Sequence, residues 1–363
     1  MHQSERAVFD LRRGLPVLIR ADDGDRVAYP VERGSSLLDA LEPAADAELA
    51  LVLRRPRLGA LGLPSDDDAR LPARTRGPVA RDRLAAWATG DGHPDDQAFH
   101  APEAIGTADR AALALMRRAR LIPAAITGRV TAELAELADR GPLLRVDAAE
   151  ALACADQAAD RVRRISEAPV PLADAPDSRF VLFREADGLR EHVAVVIGQR
   201  EHWADPVPVR LHSACLTGDL FGSLRCDCGE QLRNAVDTIA RLGGGVLLYL
   251  DQEGRGIGLA NKLRAYALQD AGHDTVDADA LLGFHDDERR FASAASMLES
   301  VGVRRCRLLT NNPAKLRALA AHGIEVHARE AVYGRLTEQN RRYLSAKARR
   351  SGHLLDEVLD AES

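Results

Sequence analysis

The sequence predicts an α/β protein of two domains, and three observations carry that prediction. At 363 residues the chain exceeds a typical domain of roughly 100–200 residues, so two cores are expected. From about residue 200 onward, short apolar runs alternate with amphipathic helical stretches, which is the pattern of an α/β sheet domain. Between the halves lies "ISEAPVPLADAPDSRF", residues 165–180, with three prolines and neither helical nor strand periodicity. The boundary is placed there, dividing the chain into 1–165 and 166–363. The expected fold is a C-terminal mixed-sheet α/β domain preceded by a smaller α+β domain.

In the first half, "ERAVFDLRRG" predicts a short helix stopped at Gly14, followed by the strand "LPVLIRA", a "DDGD" turn and a second extended run, "RVAYPVE". The stretch "SLLDALEPAADAELALVL", residues 36–53, predicts a helix, as does "TADRAALALMRRARL". In the second half "VPVRLH" and "GGVLLYL" predict strands, and Leu232, Val236, Ile239 and Ala240 between them share one helical face. The glycines at 243–245 end that helix. Helices are then expected at "LANKLRAYALQDAG", at "DERRFASAASMLESVG" and after "NNPAK", with strands at "RCRLLT" and "IEVHARE".

Composition narrows the function. With 46% hydrophobic and 29% charged residues and no sufficiently long apolar window, a membrane-spanning helix is not expected. The opening "MHQSERAVFDLRRG" has no apolar core of an export signal, so a cytoplasmic location is expected. A net charge of −6 disfavours a nucleic-acid partner, and any phosphate binding should be local. Five cysteines are an odd number for a disulfide framework, and clustered thiols in such a chain more often hold metal.

Three of the five, Cys215, Cys226 and Cys228, lie within fourteen residues. Three thiolates on zinc leave a fourth position for water, the arrangement of a catalytic site, but His212 could equally close the site as a structural one. In "QEGRGIGLANKLRAYALQD", Gly254, Gly256 and Gly258 allow close backbone approach before a helix whose first amides favour an anion, which Arg255 could bridge. A plain strand-to-helix turn would need the same glycines. In "LLTNNPAK", Asn312 caps a helix, Pro313 suits its first position, and Lys315 opposes the helix dipole unless an anion is bound or water solvates it. Asp286, Asp287 and Glu288 in "GFHDDERRF" suit a solvated helix start.

Taken in order, "RLHSACLTGDLFGSLRCDCGEQL", "YLDQEGRGIGLANKLRAYALQDAGHDTVDAD", "LGFHDDERRF" and "RLLTNNPAKL" closely resemble the successive motifs of GTP cyclohydrolase II, the zinc enzyme that opens riboflavin synthesis. The resemblance covers nearly all of residues 166–363. It implies one Zn²⁺ per chain on Cys215, Cys226 and Cys228, His212 not being a ligand, and an activated water that attacks C8 of guanine. Hydrolysis of GTP would release formate and pyrophosphate, leaving 2,5-diamino-6-(5-phosphoribosylamino)pyrimidin-4(3H)-one, with Mg²⁺ on the triphosphate. Arg210, Leu211, His212, Ser213 and Ala214 would line the nucleotide with Gln231, Glu253, Gly254 and Arg255, and Thr275, Thr310 and Lys315 would meet the rest of it. Glu253 suits guanine, whose N1–H and amine both donate.

By the same resemblance Asp287 would accept a proton and Arg289 would act as nucleophile at the α-phosphorus. A guanidinium stays protonated, so charge stabilisation of the leaving pyrophosphate is the alternative for Arg289. Tyr266 matches a tyrosine beside the base, associated with completing the second hydrolysis. Ala214, Asp251, Asp279 and Arg290 depart from the residues common at those positions. The family implies a homodimer. Two other outcomes fit the motifs: a formylated product or another nucleotide substrate, and a silent zinc protein that binds nucleotide as a regulator.

The opening "FDLRRGLPVLIRADDGDR" resembles dihydroxybutanone phosphate synthase, which bifunctional members carry before the cyclohydrolase. That enzyme continues its turn with an acidic metal-binding run, where this chain reads "VAYPVE". Residues 1–165 are therefore expected to be a degenerate synthase-like domain without that activity.

Overall fold

The computed structural model describes residues 2–32, 49–63, 65–74, 78–89, 99–157, 160–332 and 334. Its contacts form two compact units, one of Met1–Gln157 with Ala260–Glu288 and one of Ala158–Leu259 with Arg289–Ser363. The α/β class, the two-part organisation and the mixed sheet of the C-terminal part agree with the expectation from sequence.

The first unit holds a seven-stranded sheet in the order β5-β4-β3-β6-β2-β1-β7. Its strands are β1 (Val17–Arg20), β2 (Arg26–Pro30), β3 (Ala50–Leu53), β4 (Ala69–Pro72), β5 (Glu103–Ala104), β6 (Ala124–Arg129) and β7 (Leu144–Asp147). Only the β1–β7 pair is parallel. Helices His2–Arg12, Thr107–Arg118 and Ala148–Gln157 pack together, and Val8, Leu11, Ala112, Leu115, Met116 and Ala151 on them are buried. The acidic turn serves this packing: Asp23 Oδ2 accepts from Thr107 N at 2.7 Å and Thr107 Oγ1 at 3.0 Å, binding the turn to a helix N-terminus. The Thr107 amide holds the Asp23 carboxyl below its ordinary pKa.

Helices Leu259–Asp270 and Thr275–Leu281 lie almost wholly in the stretch that joins this unit. Asn261 Nδ2 donates to the Arg120 carbonyl at 3.0 Å, and Arg264 pairs with Glu32 at 2.9 Å.

The second unit holds the sheet β14-β13-β11-β12-β10-β9-β8. These strands are β8 (Val162–Pro169), β9 (Ser178–Glu185), β10 (Glu191–Ile197), β11 (Val207–Ser213), β12 (Gly245–Leu250), β13 (Arg305–Leu309) and β14 (Glu325–Glu330). The neighbours β12, β11, β13 and β14 run parallel, while β10, β9 and β8 continue antiparallel. One face packs Val209, Leu211, Val246 and Leu248 with Met297, Leu298 and Leu319 of helices Ala292–Ser300 and Pro313–Ala321. The other packs Val195, Ile197 and Leu247 with Ala235 and Ile239 of helix Cys228–Arg241, and Leu232, Val236 and Ala240 join them as their shared face predicts.

Three local expectations are corrected. Residues 50–53, placed in a helix, form β3 between β4 and β6; all four side chains are buried, so the run has no alternation to read. Residues 36–48 of that expected helix lie outside the described residues. Residues 165–169, read as linker, belong to β8, an edge strand with seven of eight residues exposed and Pro169 at its end, where a missing N–H costs no ladder bond. The helix expected from residue 287 begins only at Ala292, with Phe291 as its N-cap. Residues 287–290 have no regular structure, and the Glu288 carboxylate bonds Arg54 and Arg117 instead of capping a helix. Strands β9 and β10 and helix Thr275–Leu281 were not foreseen.

Candidate active site

The adjacent parallel strands β13, β11 and β12 end at one edge of the second sheet, and the segments leaving them carry most of the residues singled out from sequence. β11 runs through Arg210, Leu211, His212 and Ser213 into Cys215; β12 leads to Glu253, Gly254 and Arg255; β13 leads to Thr310 and Lys315. The carboxyl ends of parallel strands are the usual ligand position of such sheets.

Cys215 is buried and Cys226 and Cys228 are partly buried, and their sulfurs all lie within 4.8 Å of one another. Cys215 Sγ and Cys226 Sγ are 3.6 Å apart. Tetrahedral zinc with bonds of about 2.3 Å would hold its sulfurs roughly 3.8 Å apart, so the trio fits a metal of that size. Gly218 keeps the space open: a Cβ there would lie 2.7 Å from Cys226 Sγ and 3.1 Å from Cys215 Sγ. Cys228 opens the helix Cys228–Arg241, where the exposed amides favour a thiolate. Among the described residues no histidine or carboxylate joins the three thiols, His212 included. Cys154 and Cys306 are buried elsewhere, and burial pushes the Cys306 thiol up to about 12.

His212 instead bonds Asp219, its Nε2 lying 3.1 Å from Oδ1. Asp219 Oδ2 also accepts from Cys215 N and from the Tyr249 hydroxyl, each at 2.9 Å. The His212 and Tyr249 rings stack 5.6 Å apart. Burial lowers the His212 pKa despite Asp219, so the ring is neutral at pH 7, and its buried Nδ1 has no hydrogen-bond partner among the described residues. Gly218, Asp219 and Tyr249 were passed over in the sequence. An aspartate four residues after the first cysteine, in a short helical turn, was the available signal for Asp219.

Arg210 is buried, donating to the Leu309 carbonyl at 2.9 Å and to Gln231 Oε1 at 2.7 Å. Burial lowers its pKa to about 10 against the opposing pull of Asp227 and Cys228, so it stays charged at neutral pH. Gln231 in turn donates to Asp227 at 2.5 Å. Asn312 caps its helix as expected, its side chain accepting from Ala314 N at 2.8 Å. Lys315 is not solvated: it is 5% exposed, donates to the Leu211 carbonyl at 2.6 Å and lies 5.7 Å from the Phe291 ring centroid. Thr310 is buried, its hydroxyl accepting from Asn312 N at 3.1 Å.

The turn Glu253–Gly256 places Gly254 (φ 61°) and Arg255 (φ 57°) in the left-handed region. Such a conformation costs a non-glycine residue about 1–2 kcal/mol, and strain of this kind gathers at functional sites. Glu253 is buried; Oε2 accepts from Leu216 N at 2.6 Å and Oε1 from Gly254 N at 2.9 Å, tying this turn to the segment after Cys215.

Arg289 Nη1 donates to Ser213 Oγ at 3.4 Å, bringing that guanidinium to the end of β11. Ala214 N bonds the Leu250 carbonyl at 2.8 Å. Among the departing residues, Arg290 pairs with Asp160 at 2.8 Å, the Asp251 amide donates to His192 Nδ1 at 3.0 Å, and Asp279 is buried. Tyr266, Thr275 and Asp287 belong to the first unit. Tyr266 is half-buried, 5.7 Å from Lys262 Nζ; Thr275 opens a short helix; Asp287 is exposed.

A family model described as GTP cyclohydrolase II matches residues 163–331. The chain is 42% identical over 370 aligned residues to a GTP cyclohydrolase-2 of Xylella fastidiosa (strain Temecula1), covering 97% of this chain and 87% of that one. It is 48% identical over 198 residues to a GTP cyclohydrolase-2 of Pseudomonas paraeruginosa, covering 54% of this chain and 95% of that one. A solved two-domain 3,4-dihydroxy-2-butanone 4-phosphate synthase from A. baumannii aligns over 91% of this chain and 99% of that one with a TM-score of 0.32 and 18% identity, too slight a likeness to carry an inference.

Proposed function

The chain belongs to the GTP cyclohydrolase II family, and from that premise, which makes it a GTP hydrolase of riboflavin biosynthesis, we propose how its residues divide the reaction. One zinc ion per chain is held by Cys215, Cys226 and Cys228. Zinc bound there supplies Lewis-acid activation of water, so that hydrolysis of a purine ring proceeds at neutral pH. The products are formate, pyrophosphate and 2,5-diamino-6-(5-phosphoribosylamino)pyrimidin-4(3H)-one, with Mg²⁺ accompanying the triphosphate.

The protein's own groups bind, select and polarise. Glu253 reads guanine: a carboxylate can accept from both N1–H and the exocyclic amine, an arrangement adenine does not offer. Arg210, Leu211, His212, Ser213, Ala214 and Gln231 line the nucleotide together with Gly254 and Arg255. Lys315, Thr310 and Thr275 meet its sugar and phosphates; a buried ammonium at the start of a helix suits a phosphate. Asp287 takes a proton and Arg289 steadies negative charge on the departing pyrophosphate, a role suited to a group that stays protonated. Tyr266 stands beside the base and favours the second hydrolysis.

The three-thiol cradle kept open by Gly218, at the common end of β11, β12 and β13, is the observation that carries this reading. The test is incubation of the purified chain with GTP and Mg²⁺, following formate, pyrophosphate and product mass. Turnover abolished by a chelator and restored by zinc is expected. A formylated product would overturn the product assignment, and zinc and GTP binding without turnover would overturn the enzymatic one.

Residues 1–165 are proposed as a degenerate synthase-like domain with no synthase activity, 166–363 being the cyclohydrolase domain. The use of Asp23 as a helix-binding group supports this. Conversion of ribulose 5-phosphate by the full chain would overturn it. A cytoplasmic homodimer completes the proposal; among the described residues no helix is long and apolar enough to cross a membrane.

A further inference from the structure

Glu288 is gripped from two sides inside the first unit. Arg54 Nη1 donates to Oε1 at 2.5 Å, Arg117 Nη2 to Oε2 at 2.8 Å, and the His285 amide to Oε1 at 3.0 Å. The same Arg54 nitrogen donates to the Gly283 carbonyl at 3.3 Å, so one guanidinium holds both ends of residues 283–288. The Arg54 and Glu288 side chains are 7% and 8% exposed. Arg54 lies directly after β3 and Arg117 in the last turn of helix Thr107–Arg118. A buried ion pair is a poor way to add stability, because desolvating both charges offsets most of their attraction. It is a good way to fix a geometry, since two guanidinium forks accept one carboxylate placement.

What is fixed adjoins a residue the proposed reaction uses. Asp287 precedes Glu288 within the same unit and has an exposed side chain. Successive Cα atoms are about 3.8 Å apart, so anchoring Glu288 confines Asp287. We infer that Arg54 and Arg117, contributed by the N-terminal half of the chain, are positioning residues for the reaction: by holding Glu288 they set the placement of Asp287. The inference rests on the role proposed above for Asp287.

Arg117 is 44% exposed, so Arg117→Gln should fold. In the zinc-loaded full chain it is expected to lower kcat for GTP about 10–100-fold, the usual effect of a misplaced group, with KM within about threefold and zinc content unchanged. Arg117→Lys, which keeps the charge, should recover more than half of the lost turnover. Glu288→Gln should reproduce the loss, and the double variant should be no worse than either single one. A kcat within about twofold of an active unsubstituted chain, or a rise in KM alone, overturns the inference and leaves the proposed function intact. If the unsubstituted chain releases neither formate nor pyrophosphate, the function falls and the inference falls with it.

Discussion

Gly218 and Cys226 sit so close that a single methyl group cannot be placed between them: a Cβ on Gly218 would stand 2.7 Å from the Cys226 sulfur. It would also meet Cys215 Sγ and Cys228 Cβ at 3.1 Å, so shifting one thiol does not relieve the clash. Gly218→Ala should therefore spread the thiols and lose zinc with little change in secondary structure. Metal content after dialysis, read beside far-UV circular dichroism, tests this; retention of a full equivalent of zinc would refute it.

Arg255 is one of only two non-glycine residues with positive φ among the described residues. If its strain is held for function, Arg255→Gly should stabilise the chain by about 1 kcal/mol while reducing GTP turnover. Thermal midpoint and kcat/KM measured on the same preparation decide it. Lower stability in the glycine variant would show that the side chain's own contacts outweigh the backbone strain.

Asp219 gathers three groups on one carboxylate: His212, the Cys215 amide and the Tyr249 hydroxyl. Asp219→Ala leaves all three without that acceptor and frees the turn carrying Cys215. Partners one step removed from a metal commonly change its affinity by about 10–100-fold, and a loss of that order is expected in competition with a zinc chelator. Tyr249→Phe removes one bond of the three and should cost less.

Glu288 gives a pH signature. Burial alone would raise its pKa, but Arg117 and Arg54, with the His285 amide, hold it below the ordinary 4.5. The unfolded chain therefore takes up this proton at higher pH than the folded one. The stability contributed by the carboxylate is fully present above about pH 4.5 and is lost as pH falls through its lowered value. Urea midpoints of the unsubstituted chain and Glu288→Gln should differ at pH 7 and converge as pH falls through the lowered pKa of Glu288. A difference constant across that range would count against the pairing.

The parts of the molecule that could be read from sequence are those whose determinants are local. Helix Cys228–Arg241 shows its apolar face in four residues, and Asn312 with Pro313 marks a helix start that the structure reproduces. The cysteine spacing named the three thiols that meet. It left His212 available to them, because the decision rests on Asp219 and Tyr249, the latter brought in from the neighbouring strand β12. The uniformly buried β3 and the exposed edge strand β8 both lack the alternation that marks a half-buried strand. Residues 287–290 misled for a related reason: acidic side chains suit a helix N-terminus, but the partners of Glu288 stand 171 and 234 positions earlier.

The return of Ala260–Glu288 to the first unit also bears on how the chain is made. Domains tend to fold from the N-terminal end as synthesis proceeds, at about 5–20 residues per second. Here the first unit cannot close when Gln157 leaves the ribosome, because its final helices and the partner of Arg54 have not yet been translated. Strands β8 to β12 emerge in the interval, so five strands of the second sheet are translated before the first unit receives its last piece. A ribosome halted just short of residue 260 would hold a nascent N-terminal body still open to proteolysis, and one that had released residue 288 would not.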